Sequence, residues 1–186
     1  MRDKQLEPNF TIDLITLLSE GDLRTIGVSD QVVALVERSP ELLEIVFSMM
    51  ESGSPGTRMR CADVLEKVSG TSRHLLFPFQ NQIFDFLSKT TEAQITWHFL
   101  QILPRLQLDD SSLESAKSLA LRHYKSSISQ IVRVNALEAL VKIAALLTEP
   151  NTEIENILTQ ALIDPAASVR ARARKLYQPF LKQEID

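Results

Sequence analysis

The sequence predicts an all-α chain built from repeated helix pairs, and three observations carry that prediction. A twelve-residue pattern occurs four times: "TRMRCADVLEKV" (57–68), "ITWHFLQILPRL" (95–106), "VRVNALEALVKI" (132–143) and "VRARARKLYQPF" (169–180). The copies begin at Thr57, Ile95, Val132 and Val169, so their spacings are 38, 37 and 37 residues. Each copy, and each segment between copies, carries apolar residues at helical rather than strand period. Two helices per repeat of this length is the sequence form of an α-solenoid.

The elements follow in chain order. Residues 1–39 do not fit the template. Ile12, Leu14, Ile15, Leu17 and Leu18 predict one helix, stopped by Glu20, Gly21 and Asp22. Ser29 is expected to cap a second helix carrying Val32, Val33, Leu35 and Val36, which ends near Pro40. Terminal repeats lack a neighbour on one face and diverge accordingly, so these residues read as an N-terminal cap. In 40–52, Leu42, Ile45, Val46 and Met49 form the stripe, and "SGSPG" (52–56) links to the first copy. Phe79, Ile83, Phe86 and Leu87 make the next stripe, followed by "SKTTE" (88–92). Pro104 lies inside the second copy; with no N–H to donate, and with a ring that clashes with the preceding turn, it should kink or end that helix. Leu113, Ala116, Leu119 and Ala120 precede the link "KSSIS" (125–129). In the third copy Val132, Ala136, Leu140 and Ile143 share one face. Ile154, Ile157, Leu158 and Ala161 precede "DPAAS" (164–168), where Asp164 and Pro165 stop one helix and Ser168 is expected to cap the next.

Composition agrees. Hydrophobic residues make up 44% and charged residues 24%, a balance that buries a core, while 5 glycines and 6% aromatics suit packed helices better than a turn-rich sandwich. No apolar run reaches the ~18 residues of a membrane span. The N-terminal "MRDKQLEPNF" has no apolar core of a leader, and Cys61 is the only cysteine, so a reducing cytoplasmic setting is expected.

With these motifs in place, residues 40–181 resemble the HEAT-repeat family. Its second helix opens with Val-Arg, carries a small residue and a Leu, and follows Asp-Pro. "DPAASVRARA" (164–173) and "IVRVNALEAL" (131–140) match this well, and "GTRMRCADVLEKV" (56–68) matches fairly. "AQITWHFLQIL" (93–103) keeps only the apolar skeleton. The chain is also similar to small bacterial HEAT-like proteins for which no role is established. The expected fold is therefore an all-α, right-handed superhelix in one continuous domain: a cap over 1–39 and four helix pairs over 40–186. In that family an Arg at the second position of the helix belongs to a ladder of bonds to acids in adjacent turns. Arg58, Arg133 and Arg170 hold that position, Thr96 replaces it in the second copy, and Asp164 is the obvious acidic turn partner.

Little points to catalysis. Cys61 falls where other copies have Ala136 and Ala173, the place of a buried small residue. His74, His98 and His123 show no metal-ligand spacing, and no phosphate loop or nucleophile elbow occurs, so neither a metal nor another cofactor is expected. Trp97 holds an apolar template position and should pack between helices.

Template positions four, seven and eleven lie opposite the buried stripe. They are Arg60, Asp63 and Lys67; His98, Gln101 and Arg105; Asn135, Glu138 and Lys142; and Arg172, Lys175 and Pro179. Six are basic and two acidic, a net +4 in a chain of net −4. The resemblance places second helices on the concave side. The leading expectation is thus a non-enzymatic scaffold that binds an acidic protein surface there. Two alternatives stay open. One is nucleic-acid binding, or base excision as in HEAT-like DNA glycosylases, with Trp97 and Asp63 as the candidates. The other is a role like that of HEAT-like chromophore lyases or a chaperone.

Overall fold

A computed structural model describes residues 8–19, 27–147 and 152–183. Ten α-helices and no strand occur among these residues: α1 Pro8–Ser19, α2 Gly27–Arg38, α3 Leu42–Ser52, α4 Pro55–Thr71, α5 Gln80–Lys89, α6 Ala93–Ile102, α7 Asp110–Ser126, α8 Gln130–Ala144, α9 Thr152–Ala161 and α10 Ala167–Gln183. Short 3₁₀ turns cover Arg73–Phe79 and Leu103–Arg105. The chain is all-α, as the periodicity predicts.

Local chemistry sets most boundaries. Ser54 caps α4, its Oγ accepting from the Thr57 N–H at 3.2 Å, and Pro55 takes the first helical position, where no N–H is needed. Gly53 lets α3 turn directly into α4, because a Cβ there would stand 2.5 Å from the Met49 carbonyl oxygen. Asp109 caps α7 by accepting from the Ser112 N–H at 2.8 Å. α6 stops at Ile102 and gives way to the 3₁₀ turn that contains Pro104, as expected of a residue that cannot continue the ladder.

Two caps are placed differently from the sequence reading. Ser29 lies inside the first turn of α2 and is buried rather than capping from outside. Ser168 lies inside α10, and its hydroxyl donates to Gln130 Oε1 at 2.8 Å. The expected stop at Glu20, Gly21 and Asp22 lies outside the described residues.

The helices form two compact units, residues 1–78 and 79–186. In the first, α1 packs on α2, α3 packs on α4, and α4 also packs against α1 and α2. Its core holds Leu14, Leu18, Val32, Val36, Leu42, Val46, Met50 and Leu65. On α3 the buried set is Leu42, Leu43, Val46, Phe47 and Met50, so the stripe read from sequence is rotated and Ile45 and Met49 are half-exposed. α3 touches both α2 and α4, which moves its buried face off the axis of a single contact.

In the second unit α8 packs against α6, α7, α9 and α10. Val132, Ala136, Leu137, Ala139, Leu140, Val141, Ile143 and Ala144 are all buried, so α8 is apolar on nearly every side. A helix of that kind belongs in a core. α6, α8 and α10 therefore run as successive neighbours, each hairpinned to a first helix of its own pair. Phe86 on α5 stacks on Phe99 of α6 at 5.5 Å between ring centroids.

Leu65, Leu103 and Leu140 are each 0% exposed at the same template position. Truncating any one to Ala should destabilise the chain by about 2–5 kcal/mol through lost burial and a residual cavity. Chemical denaturation checks this, and an unchanged midpoint in all three variants would contradict the packing.

Candidate functional site

The residues expected to share one open face do not all share it. Arg60 is 4% exposed: Nε donates to the Leu18 carbonyl at 2.9 Å and NH2 to the Ser19 carbonyl at 3.4 Å. A guanidinium there closes the C-terminus of α1, where carbonyls lack helical partners and the dipole favours a cation. His98 is also 4% exposed, stacked against Trp97 with ring centroids 3.5 Å apart. Trp97 is half-buried, in keeping with a packing role.

Beside Arg60 on α4, Lys67 reaches Asp30 on α2 at 2.8 Å and Asp63 at 3.3 Å. Burial pulls the Lys67 ammonium down, but the bonds and charges of Asp30 and Asp63 outweigh it and hold its pKa above the ordinary value. That part of the strip satisfies its own charge.

The second unit carries the more open part. Glu138 sits at its centre, paired with Lys142 at 2.8 Å and with Arg172 across the α8–α10 contact. Burial pushes the Glu138 carboxyl up, yet Lys142, Arg172 and Arg105 together hold it below the usual carboxylate value. Around it, Lys142 is 50% exposed along its side chain and Arg172 36%, and Arg105 is half-exposed; of the other expected positions, Lys175 on α10 is exposed and Gln101 on α6 half-exposed. Asn135 Nδ2 donates back to the Ile131 carbonyl at 2.8 Å. Three cations, Arg105, Lys142 and Arg172, thus stand against one carboxylate on α8, α10 and the 3₁₀ turn after α6, a net charge of +2.

A second cluster lies at the turn edge of the same unit. Arg133 NH1 donates to Asp164 Oδ1 at 3.2 Å and NH2 to Oδ2, the bidentate geometry that suits Arg and carboxylate. Arg133 Nε donates to the Tyr124 carbonyl at 3.4 Å, and its guanidinium lies 5.3 Å from the Tyr124 ring centroid. Arg170 donates to the Asp164 carbonyl at 2.6 Å and the Pro165 carbonyl at 2.8 Å, and Asp164 Oδ1 accepts from the Ala166 N–H at 2.8 Å. Sequence reasoning had found Asp164 as the acidic turn partner. It missed Arg122 on α7, whose NH2 donates to the Leu87 and Ser88 carbonyls at 3.2 and 3.0 Å. Nothing in the repeat pattern marks Arg122, because its partners are backbone atoms.

Cys61 is 0% exposed, and burial pushes its thiol up to about 12 despite the charge of Arg60. It is a core residue and a poor nucleophile. No helix among the described residues is long and apolar enough to cross a membrane. No protein-family model matches the chain, and no curated protein matches it.

Two expectations follow. Cys61 should label slowly with a thiol reagent in the native state and rapidly once denatured; fast native labelling at neutral pH would contradict its burial. The Asp164 pKa is lowered, first by the Arg133 hydrogen bond, from an ordinary 3.8. Its contribution to stability is therefore complete above that value and lost as pH falls through the lower folded value. Thermal midpoints of the wild type and Asp164→Asn should differ at neutral pH and converge in acid. A gap independent of pH would mean that the pair does not contribute through its charge.

Proposed function

We propose that the chain is a HEAT-like α-solenoid and a non-enzymatic scaffold, binding the acidic surface of a partner protein on the face formed by α6, α8 and α10. The observation that carries this reading is the side-by-side order of these helices, which gathers Arg105, Lys142 and Arg172 around the carboxylate of Glu138, with Lys175 exposed one turn further along α10. A cationic face on a chain of net −4 is a local feature rather than a consequence of overall charge. Such a face steers an oppositely charged partner and sets its register. Helix pairs repeated at 37–38 residues, with α6, α8 and α10 side by side in the second unit, favour a solenoid, whose long open surface serves binding and requires no catalytic cleft. The cytoplasm remains the expected compartment on the single, unpaired cysteine.

The test is charge reversal. Arg105→Glu, Lys142→Glu and Arg172→Glu together should abolish capture of the native partner while circular dichroism stays helical. Because Lys142 and Arg172 also hold Glu138, Lys175→Glu is the milder companion: Lys175 makes no ion pair among the described residues, and its reversal should weaken binding without disturbing that cluster. Capture that survives both variants removes this face as the site. Capture that is lost after nuclease treatment, with a steep linear fall of log affinity against log salt, would mark nucleic-acid phosphate as the partner instead.

A further inference from the structure

Successive helix pairs of the second unit are joined in two different ways. Between the α7–α8 and α9–α10 pairs, Arg133 at the start of α8 spans to Asp164 in the turn before α10. One repeat earlier in the template, Thr96 on α6 holds the Arg133 position and Ser127 in the turn before α8 holds the Asp164 position. Both members of the ion pair are replaced by short hydroxyl residues. Thr96 Oγ1 donates back to the Glu92 carbonyl at 2.8 Å, and Ser127 Oγ accepts from the Ser129 N–H at 3.2 Å, so neither crosses the joint.

A hollow of about 660 Å³ lies there, with Thr96 and Ser127 both in its wall. Hydroxyls of Thr90, Thr91 and Ser126 add to the lining, and its basic residues are Lys89, Arg122 and His123; no carboxylate lines it among the described residues. Lys89 is already paired with Asp85 at 2.7 Å. His123 is buried, its Nε2 3.0 Å from the Leu87 carbonyl. Arg122 is exposed and commits NH2 to the Leu87 and Ser88 carbonyls, while its Nε and NH1 make no hydrogen bond among the described residues. Ile128 lines the same hollow at 101% exposure.

We propose that this joint is a docking site for a short, extended acidic segment of a partner protein, one of its carboxylates meeting Arg122 and an adjacent apolar side chain covering Ile128. Charge complementarity selects the occupant: a guanidinium with donors to spare, donor hydroxyls and no competing acid accept a carboxylate as Arg133 accepts Asp164. The volume and the exposed Ile128 in its wall suit a peptide segment rather than a lone small anion. The site shares no residue with the cationic face of α6, α8 and α10 and does not depend on it.

The probe is an acetylated, amidated Glu-Leu-Glu-Leu-Glu peptide titrated into the ¹⁵N-labelled full chain, read by amide chemical shifts. Shifts should cluster at residues 88–91 and 126–130, and a peptide with Lys in place of Glu should give none there. Thr96→Arg with Ser127→Asp, which rebuilds the missing pair, should abolish those shifts without lowering the thermal midpoint. Arg122→Gln and, separately, Ile128→Ser should each weaken binding, the first by about tenfold, the scale of one charge-assisted bond. Ile128 is fully exposed, so its variant keeps the fold and leaves the test open even if the double variant does not fold. The proposal fails if no shifts appear at those amides, or if the Lys peptide shifts them equally. It fails too if a folded double variant binds unchanged, or if both single variants do. Shifts confined to the surroundings of Arg105, Lys142 and Arg172 would place the acidic segment on the other face and overturn it as well.

Discussion

The second unit is organised by the burial of α8. A fifteen-residue helix with apolar side chains on nearly every side cannot be satisfied by one partner, and it recruits α6, α7, α9 and α10 around itself. Burying each Leu, Ile or Val of that set removes apolar surface from water at roughly 25 cal/mol per Å². This one demand puts α6 and α10 on opposite flanks of α8, and that placement brings Arg105 and Arg172 to the same carboxylate. The packing of α8 comes first, and the cationic face follows from it.

Polar bonds between neighbouring pairs add register to this packing. Glu37 on α2 accepts from the Thr71 and Ser72 hydroxyls at the end of α4, each at 2.7 Å, and these bonds hold the Glu37 pKa below its ordinary value. Arg122 and His123 reach the last carbonyls of α5, and Ser168 reaches Gln130. Most of these bonds are exposed, where a single hydrogen bond or ion pair contributes little net free energy. Their value lies in direction: each ties a helix end to a position about one repeat away, so that sliding one pair along the next breaks several bonds at once. The His123–Leu87 bond is buried and the Arg133–Asp164 joint part-buried, the Asp164 side chain being 9% exposed.

The strip of template positions shows where charge counting succeeds and where it stops. Reading positions four, seven and eleven finds the cations of α8 and α10 on an accessible face. On α4 the same positions yield Arg60 buried against α1 and Lys67 engaged by two aspartates. The template assumes that each second helix meets the same neighbours. α4 meets α1 as well as α2 and α3, and this extra contact covers the position that stays half-exposed as Asn135 on α8.

The helical period, the turn residues and the recurrence of one pattern are local properties. From them the sequence alone determined that the chain is all-α, that Pro104 interrupts the helix of the second copy and that the face of α8 carrying Val132, Ala136, Leu140 and Ile143 is buried. Asp164 as the acid of the turn was legible too, since it stands next to Pro165 in a motif with Arg at a set distance. The rotation of the buried face of α3, the inward turn of Arg60 and His98, the Arg122 cap on α5 and the hollow beside Thr96 were decided only by tertiary structure. Each depends on which helix lies across from a residue and on backbone carbonyls, which have the same chemistry at every position and leave no mark in the sequence.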